Sequence, residues 1–531
     1  MLDTTLAIQT ETPLGMISPR LYGHFAEHLG RCCYDGMWLG NRSGDVPLQN
    51  GFRADVLAAL RALPVPLLRW PGGCYADHYH WRDGIGPAAE RPVRLGMSCG
   101  LQVEDDNSLG THEFLWLCAQ IGAEPYLAGN VGSGTPQELC DWMEYCNTAV
   151  RTTLGRMRAA NGAPEPFGVR LWGVGNENWG CGGNYDAASY AREYVRYATM
   201  LRHVDPSAEL VVCGYDDSWN AALLTTIGRH IAMVDHISIH CYWVNGGPET
   251  EFGEAEYYAL LAEAHATEAF VERTAAILHD ATGGLRRVGI ALDEWGVWHP
   301  EARTWGPSTS LPRMPVTYEQ ANTLRDGLAA AVALEGFHRQ CGVLSMANLA
   351  QVVNVLQAPV MTDGAAMWLT PTYHALRLHA PHIGATALPV AVEHGTSLDD
   401  GASAVSACAS RSAAGLAVTL INRHYSQPAS VRLRCGGASG DMAGRPACGQ
   451  LVRRRRSDPC SSRNPRLSRR PAGEGNASNR RTVPEVKGNR IARLPPRRLP
   501  LRSICKVAMK CWTAKTNAGG SDDFRNQVAS Q

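Results

Sequence analysis

Lysine is almost missing from this chain. Of its 50 Lys and Arg residues only four are lysines, and all four fall beyond residue 435. Long apolar runs are missing too: no stretch of eighteen or more occurs, so nothing reads as a bilayer-crossing helix. The opening MLDTTLAIQTETP has no basic segment leading into an apolar one, and a soluble, cytoplasmic protein without a secretory leader is expected. The Asn-x-Ser acceptor at Asn41 should then stay unmodified. No two cysteines have the C-x-x-C spacing of a zinc site. The 17 cysteines mostly stand singly, often in apolar segments such as LWLCAQIG, and read as buried thiols and not as a disulfide framework. No G-x-G-x-x-G follows the first strand-like segment, which removes the main support for a dinucleotide-binding sheet. Neither a cofactor nor a metal is implied.

At 531 residues the chain exceeds what one hydrophobic core usually serves, so a large domain and at least one smaller unit are expected. The formal charge of zero hides a split. Residues 436–531 carry 21 basic and 6 acidic residues, leaving 29 and 44 for the rest. That last segment has only two aromatics, Trp512 and Phe524, and stretches such as LVRRRRSDPCSSRNPRLSRRPAGEG show neither strand nor helix periodicity. Such a composition buries too little apolar surface to offset its ordering entropy. An Arg-rich arm of this kind is the single hint of a nucleic-acid or polyanion partner. The abrupt change of residue usage reads better as a shifted reading frame or a degenerate, irregular extension.

The body is more regular. Eight short runs rich in β-branched and apolar residues recur: RLYGHFAEH, PLLRWPGG, EPYLAGNVG, VRLWGVGNEN, ELVVCGYD, VDHISIHCYW, RVGIALDEW and GVLSMANLAQ. Helix-like segments lie between them, including FRADVLAALRAL, THEFLWLCAQIG, TPQELCDWMEYCN, YDAASYAREYVRYATMLRHV and YEQANTLRDGLAAAVALEGFHRQ. Glu113 in the second and Asp186 in the fourth mark helix starts. Eight strands alternating with helices fit an α/β fold, a (β/α)8 TIM barrel spanning 18–378. Polar residues then stand at strand C-termini, where such barrels carry their chemistry: Glu27 and His28, Cys74, Asn130, Asn176 and Glu177, Tyr215 and Asp216, His240 and Tyr242, Asp293 and Glu294, Asn348 and Gln351. Glu177 and Glu294 are 117 residues apart, which is three βα units of about 39 residues, so they can face each other across the mouth. Two facing carboxylates near aromatics suggest glycoside hydrolysis, one acid protonating the leaving oxygen while the other attacks the anomeric carbon or activates water. A single strand-end Glu could equally serve a salt bridge or a helix cap.

The segments GHFAEHLGRCCYDGMWLG, RWPGGCYADHYHWRDGIGP, WGVGNENWGCGG, ISIHCYW, LDEWGVW and MANLAQVVNVLQAPVMT, in this order, resemble the α-L-arabinofuranosidases of glycoside hydrolase family 51. The likeness runs from about residue 13 to about 425. It implies a retaining enzyme that releases terminal α-L-arabinofuranosyl residues by double displacement, with Glu177 as acid/base and Glu294 as nucleophile. It also implies that Glu27, Asn176, Tyr242 and Gln351 hydrogen-bond the furanose, that His240 and Trp298 line the same site, and that homo-oligomers, hexamers in relatives, can form. Related barrels include endo-glucanases and β-xylosidases, so the furanose specificity rests on the resemblance. Where many relatives have Asn after the Gly-Gly turn, this chain has Cys74, a poorer hydrogen-bond partner that could also simply pack. Trp179 is open between site and core.

Two rival readings compete. HFAEH, from His24 to His28, spells the HxxEH pattern of inverted zinc peptidases, but in a strand the two histidines would stand about 13 Å apart, too far for one ion. His78 and His80 read as ordinary polar contacts. A barrel that binds sugar without cleaving it is the second rival, and the presence of both carboxylates argues against it. Beyond the barrel, LPVAVEHG, GASAVSACAS, GLAVTLINR and ASVRLRC read as strands of a C-terminal β-sandwich over 379–435, joined by strands from residues 1–17. With an irregular tail in place of further strands, the sandwich is expected to be incomplete and to show raw edges.

Overall fold

The computed structural model describes residues 1–42, 44–307 and 314–435, with the backbone of 509–515 and 523–526. Eight parallel strands close a barrel: β1 Gly23–Phe25, β2 Leu67–Trp70, β3 Glu124–Gly129, β4 Leu171–Val174, β5 Glu209–Cys213, β6 His236–Trp243, β7 Gly289–Val297 and β8 Leu344–Ala350. Closure comes from β8 pairing in parallel with β1, Asn348 opposite Gly23 and Ala350 opposite Phe25. Each strand is one of the eight apolar runs of the sequence. Such strands lie between the barrel interior and a jacket of helices, so both faces are buried and alternation is lost; all nine residues of β7 are buried. Inside, Leu67, Tyr126, Leu171, Val211, Ala291 and Met346 form one packed cluster contributed by six strands, a filled core and not a pore.

The outer helices start where the sequence supplies an acceptor for their unpaired N–H groups. The Asp186 carboxylate accepts from Ser189 N at 2.9 Å and opens helix Ala187–Val204. Thr135 Oγ1 accepts from Glu138 N at 3.2 Å and opens Pro136–Asn147. Glu113 reaches back to Gly110 N at 2.9 Å at the start of Thr111–Ile121. Helix Leu324–Arg339 is buried from Arg325 to His338. It packs between helices Glu254–Thr282 and Pro371–His379 and against strands Val405–Ser412 and Gly415–Asn422, which explains its run of small residues, GLAAAVALEG.

Those last two strands belong to a β-sandwich. One sheet has three strands, Val390–His394, Leu2–Ile8 and Ala429–Cys435, with Leu2–Ile8 in the centre. The other has six: Gly15–Met16, Thr386–Leu388, Val405–Ser412, Gly415–Asn422, Met509–Lys515 and Asp523–Asn526. The last two lie within 436–531. Residues 416–421 pair antiparallel with 509–514. Unpaired strand N–H and C=O groups favour any extended segment that can ladder onto them. The remainder of the Arg-rich segment lies outside the described residues. Among the described residues, no helix is long and apolar enough to cross a membrane.

Barrel and sandwich are joined by a buried ion pair. Arg423 Nη2 donates to Glu335 Oε2 at 2.6 Å, and Ser406 Oγ donates to the same oxygen at 2.8 Å; the two charged side chains are 4% and 0% exposed. Removing one partner of such a pair strands the other charge out of water. Arg423→Met should therefore lower stability by about 3–5 kcal/mol, and Arg423→Met combined with Glu335→Leu should recover most of that loss. Thermal denaturation of the two variants beside the parent checks this; equal losses in both would show that the pair's charge is not the source.

Candidate active site

The polar strand ends converge at one mouth of the barrel. Glu294, near the end of β7, is 6% exposed and takes three contacts: Arg69 Nη1 donates to its Oε1 at 2.9 Å, Tyr242 OH donates to its Oε2 at 2.6 Å, and His240 Nδ1 lies 3.7 Å from Oε2. Glu177 follows β4, and its Oε1 is 2.8 Å from His240 Nδ1. His240 thus stands between the two carboxylates, and one oxygen of each glutamate and one ring nitrogen of His240 lie within 4.8 Å of one another. Facing carboxyls about 5–5.5 Å apart suit a covalent intermediate, whereas about 6.5–9.5 Å leaves room for an intervening water. The close approach of the nearest oxygens is compatible with the first.

The electrostatics separate the members of this group. Burial pushes the Glu294 carboxyl up, but the His240 and Arg69 charges and the Tyr242 hydrogen bond outweigh it and hold the group below its ordinary range. His240 is disfavoured as a cation by burial, yet Glu294 and Glu177 raise it above the usual imidazole range. Arg69 is the organiser that sequence reasoning missed. Its Nη2 donates to Asn176 Oδ1 at 2.5 Å while Nη1 holds Glu294, and its guanidinium sits 4.7 Å from the centre of the Phe25 ring. An Arg in the apolar run LLRW was the available signal: a charge so placed needs buried partners.

Glu27 lies beneath this pair. Tyr75 N and Ser98 Oγ donate to its Oε1 at 2.9 and 2.7 Å, and Gln351 Nε2 donates to Oε2 at 3.1 Å. Burial, then the charge of Glu294, pushes its carboxyl up to about 7 against the pull of these donors. The close fit explains the glycine before Cys74: a Cβ on Gly73 would sit 2.6 Å from both Glu27 oxygens. Trp298 completes the wall, its ring 4.9 Å from that of Tyr242 and its Nε1 donating to Ala302 O at 2.9 Å. Trp179 stacks on the partly exposed Tyr215 at 4.0 Å between ring centres, outside the carboxylate group's contacts.

So Glu27, Asn176, Glu177, His240, Tyr242, Glu294, Trp298 and Gln351 form one connected constellation. Other strand-end residues do different work. Asn130 caps its own loop, accepting from Ser133 N and Gly134 N at 2.9 Å, and Asp216 caps helix Asp217–Ile227 through Trp219 N. His24 and His28 share no ligand set. His24 is wholly buried and pushed down to about 3 by desolvation, while His28 Nε2 accepts from Trp70 Nε1 at 3.0 Å.

Cys74 departs from the expectation of scattered buried thiols. It forms a disulfide with Cys181, 107 residues on, with the Cα atoms 5.4 Å apart. A separation of that length carries no local pattern, so the sequence could not announce the pair. Glu177 has a left-handed backbone, φ 41°, which costs a non-glycine residue roughly 1 kcal/mol or more and is common where a site holds a side chain in place. Its carbonyl accepts from Gly180 N at 2.7 Å and Gly182 N at 3.3 Å, winding the GCGG turn beneath it.

The chain resembles known proteins over most of its length. The chain is 40% identical over 397 residues to an intracellular exo-α-L-arabinofuranosidase of Bacteroides ovatus, covering 73% of this chain and 74% of that one. It is 36% identical over 398 residues to α-L-arabinofuranosidase C of Emericella nidulans, covering 71% and 74%. Among solved structures, the family 51 arabinofuranosidase of Xanthomonas axonopodis pv. citri superposes with a TM-score of 0.76 at 34% identity, over 82% of this chain and 88% of that one. The α-L-arabinofuranosidase of Thermotoga maritima in its arabinose complex does so with 0.71 at 32% over the same shares. The α-L-arabinofuranosidase 1 domain model matches residues 59–265 and the α-L-arabinofuranosidase C-terminal domain model residues 293–453; the chain belongs to the α-L-arabinofuranosidases of glycoside hydrolase family 51.

Proposed function

We propose that Glu294 is the nucleophile and Glu177 the acid/base of a double displacement that releases terminal α-L-arabinofuranosyl residues from oligo- and polysaccharides. The close approach of the two carboxylates around His240 carries this reading. Glu294 is held as an anion by Arg69, and Tyr242 OH steadies its second oxygen, so an oxygen lone pair is ready for the anomeric carbon. Glu177, on the more open side, gives its proton to the departing oxygen; the glycosyl ester on Glu294 then forms. In the second step Glu177 takes a proton from water, which attacks the same carbon and frees Glu294. His240 Nδ1, between the two, shares its proton with whichever carboxylate is charged.

The same contacts assign binding roles. Asn176 Oδ1 is engaged by Arg69 and Nδ2 directs one N–H to Cys181 Sγ at 3.8 Å, so its second N–H can donate to a sugar hydroxyl, a bond that strengthens as the ring flattens toward an oxocarbenium ion. Glu27 and Gln351, tied to each other, offer an acceptor and a donor on the floor, and the Trp298 ring offers a flat apolar wall to sugar C–H groups. The likeness to the intracellular exo-α-L-arabinofuranosidase of Bacteroides ovatus supports a cytoplasmic site of action and an exo mode.

Glu177→Gln should lower kcat/KM by about 10²–10⁴ on alkyl or sugar arabinofuranosides and far less on p-nitrophenyl α-L-arabinofuranoside, whose leaving group needs little protonation; with water no longer deprotonated in the second step, the glycosyl ester should accumulate on Glu294, where peptide mass mapping should find it. Glu294→Gln should lose turnover on both substrates. Equal losses of kcat/KM for the two substrates in Glu177→Gln would remove its assigned role.

Glu27 yields a pH signature. Its folded pKa, about 7, lies above its ordinary value of 4.5, so the folded state holds a proton that the unfolded chain has released. Its contribution is therefore fully present below about pH 4.5 and is lost as pH rises through about 7. Glu27→Gln, which keeps the side chain neutral, should flatten the fall in melting temperature across that window. An unchanged pH profile of stability would contradict the shift.

A further inference from the structure

The Cys74–Cys181 bridge joins the loop after β2 to the loop after β4, and both sulfurs pack on one carboxylate oxygen. Cys74 Sγ is 4.0 Å and Cys181 Sγ 3.8 Å from Glu177 Oε2. Bridged sulfurs carry no proton, so these contacts confine Glu177 by packing without satisfying it as donors. A third sulfur is close by: Cys99, at the turn between strands Arg94–Ser98 and Leu101–Asp105, places its Sγ 4.0 Å from that of Cys74. Cys74 is 7% exposed and Cys181 is exposed, so a reagent from solvent reaches Cys181 first. Disulfides in reducing compartments are mostly redox-responsive and not structural.

We propose that Cys74–Cys181 is a redox-modification site that takes dithiol reductants and that its state sets how well Glu177 protonates the leaving group. The inference rests on Glu177 being the acid/base. A reductant thiolate attacks Cys181 Sγ, the S–S bond breaks, and Cys74 leaves as a thiolate that takes up a proton. The second thiol of the reductant then closes on its own bound sulfur, expelling Cys181, which is protonated in turn. The dithiol becomes a cyclic disulfide, and two electrons and two protons pass to the two cysteines. Opening the bridge unties the loop of Glu177 from the floor of the site and puts S–H donors beside its Oε2. Around that carboxylate the fixed groups are His240 from β6, Glu294 from β7, Arg69 through Asn176, and the thiols Cys99 and Cys213, so the bridge is the part of its surroundings that a reductant can alter. Cys181 is in this view a positioning residue that acts through Glu177.

The test compares the full-length enzyme before and after dithiothreitol, with thiol titration and peptide mapping to follow the bridge. Opening it should lower kcat/KM on an alkyl arabinofuranoside by at least about tenfold, a part of what a general acid supplies. On p-nitrophenyl α-L-arabinofuranoside it should lower kcat/KM by no more than about twofold, since that leaving group leans little on an acid. Reoxidation should restore the rate. Cys181→Ser should show the reduced enzyme's leaving-group dependence with or without dithiothreitol. Three results would overturn the proposal: a thiol titre that does not rise, a bridge that opens with kcat/KM unchanged, or an equal loss of kcat/KM on both substrates, which would mark the bridge as merely structural. Glu177→Gln in the same assay separates the two ideas, because absence of leaving-group dependence there would sink the acid/base reading itself.

Discussion

One buried guanidinium orders the mouth of this barrel. Arg69 is 1% exposed, and a charge taken so far from water survives only with partners that satisfy it from several sides. Glu294 and Asn176 hold its two terminal nitrogens, Asp293 lies 4.0 Å from Nε, and Phe25 covers its face. Burial disfavours the cation, and the charges of Asp293 and Glu294 more than restore it. Asp293 is itself fixed, since Tyr126 OH and Asn348 Nδ2 donate to its oxygens at 2.8 and 3.1 Å. Strands β2, β3, β4, β7 and β8 are thus tied through one cation before any sugar arrives, and an anionic Glu294 and an oriented Asn176 amide follow from that arrangement.

The site is built on this rigid floor, while its more open side is built on turns. Glu294, Tyr242 and His240 stand on strands whose backbones are locked by neighbours on both sides. Glu177 stands in a left-handed turn just past its strand and depends on the glycines and the bridged cysteine that follow. The division matches the proposed chemistry: the group assigned to attack the anomeric carbon sits on a barrel strand, and the group assigned to the leaving oxygen sits on a turn fixed by glycines and a disulfide.

Much of this was legible in the sequence because it is local. Eight apolar runs gave eight strands, and a polar residue where apolar character stops marks the mouth, which is how Glu177 and Glu294 stood out. The same rule was too generous with Asn130 and Asp216, whose side chains close turns and start a helix; polarity at a strand end does not distinguish the two uses. What escaped is non-local. Arg69 gains its meaning from partners 107 and 225 residues away, and the Cys74–Cys181 pair has no spacing rule. The strands at 509–515 and 523–526 lie in a segment whose composition argues against order, and the pairing of 509–514 with 416–421 is written in no local pattern.

That late pairing has a consequence for biogenesis. Every barrel strand has been synthesised by residue 350, and the three-stranded sheet of the sandwich by residue 435, whereas the six-stranded sheet waits for its fifth member at residue 509. A nascent chain emerging from the ribosome can therefore own a finished catalytic mouth while its companion sheet still presents an open flank. For the interval in which the intervening codons are read, the vulnerable part of the molecule is not the enzyme but the module beside it.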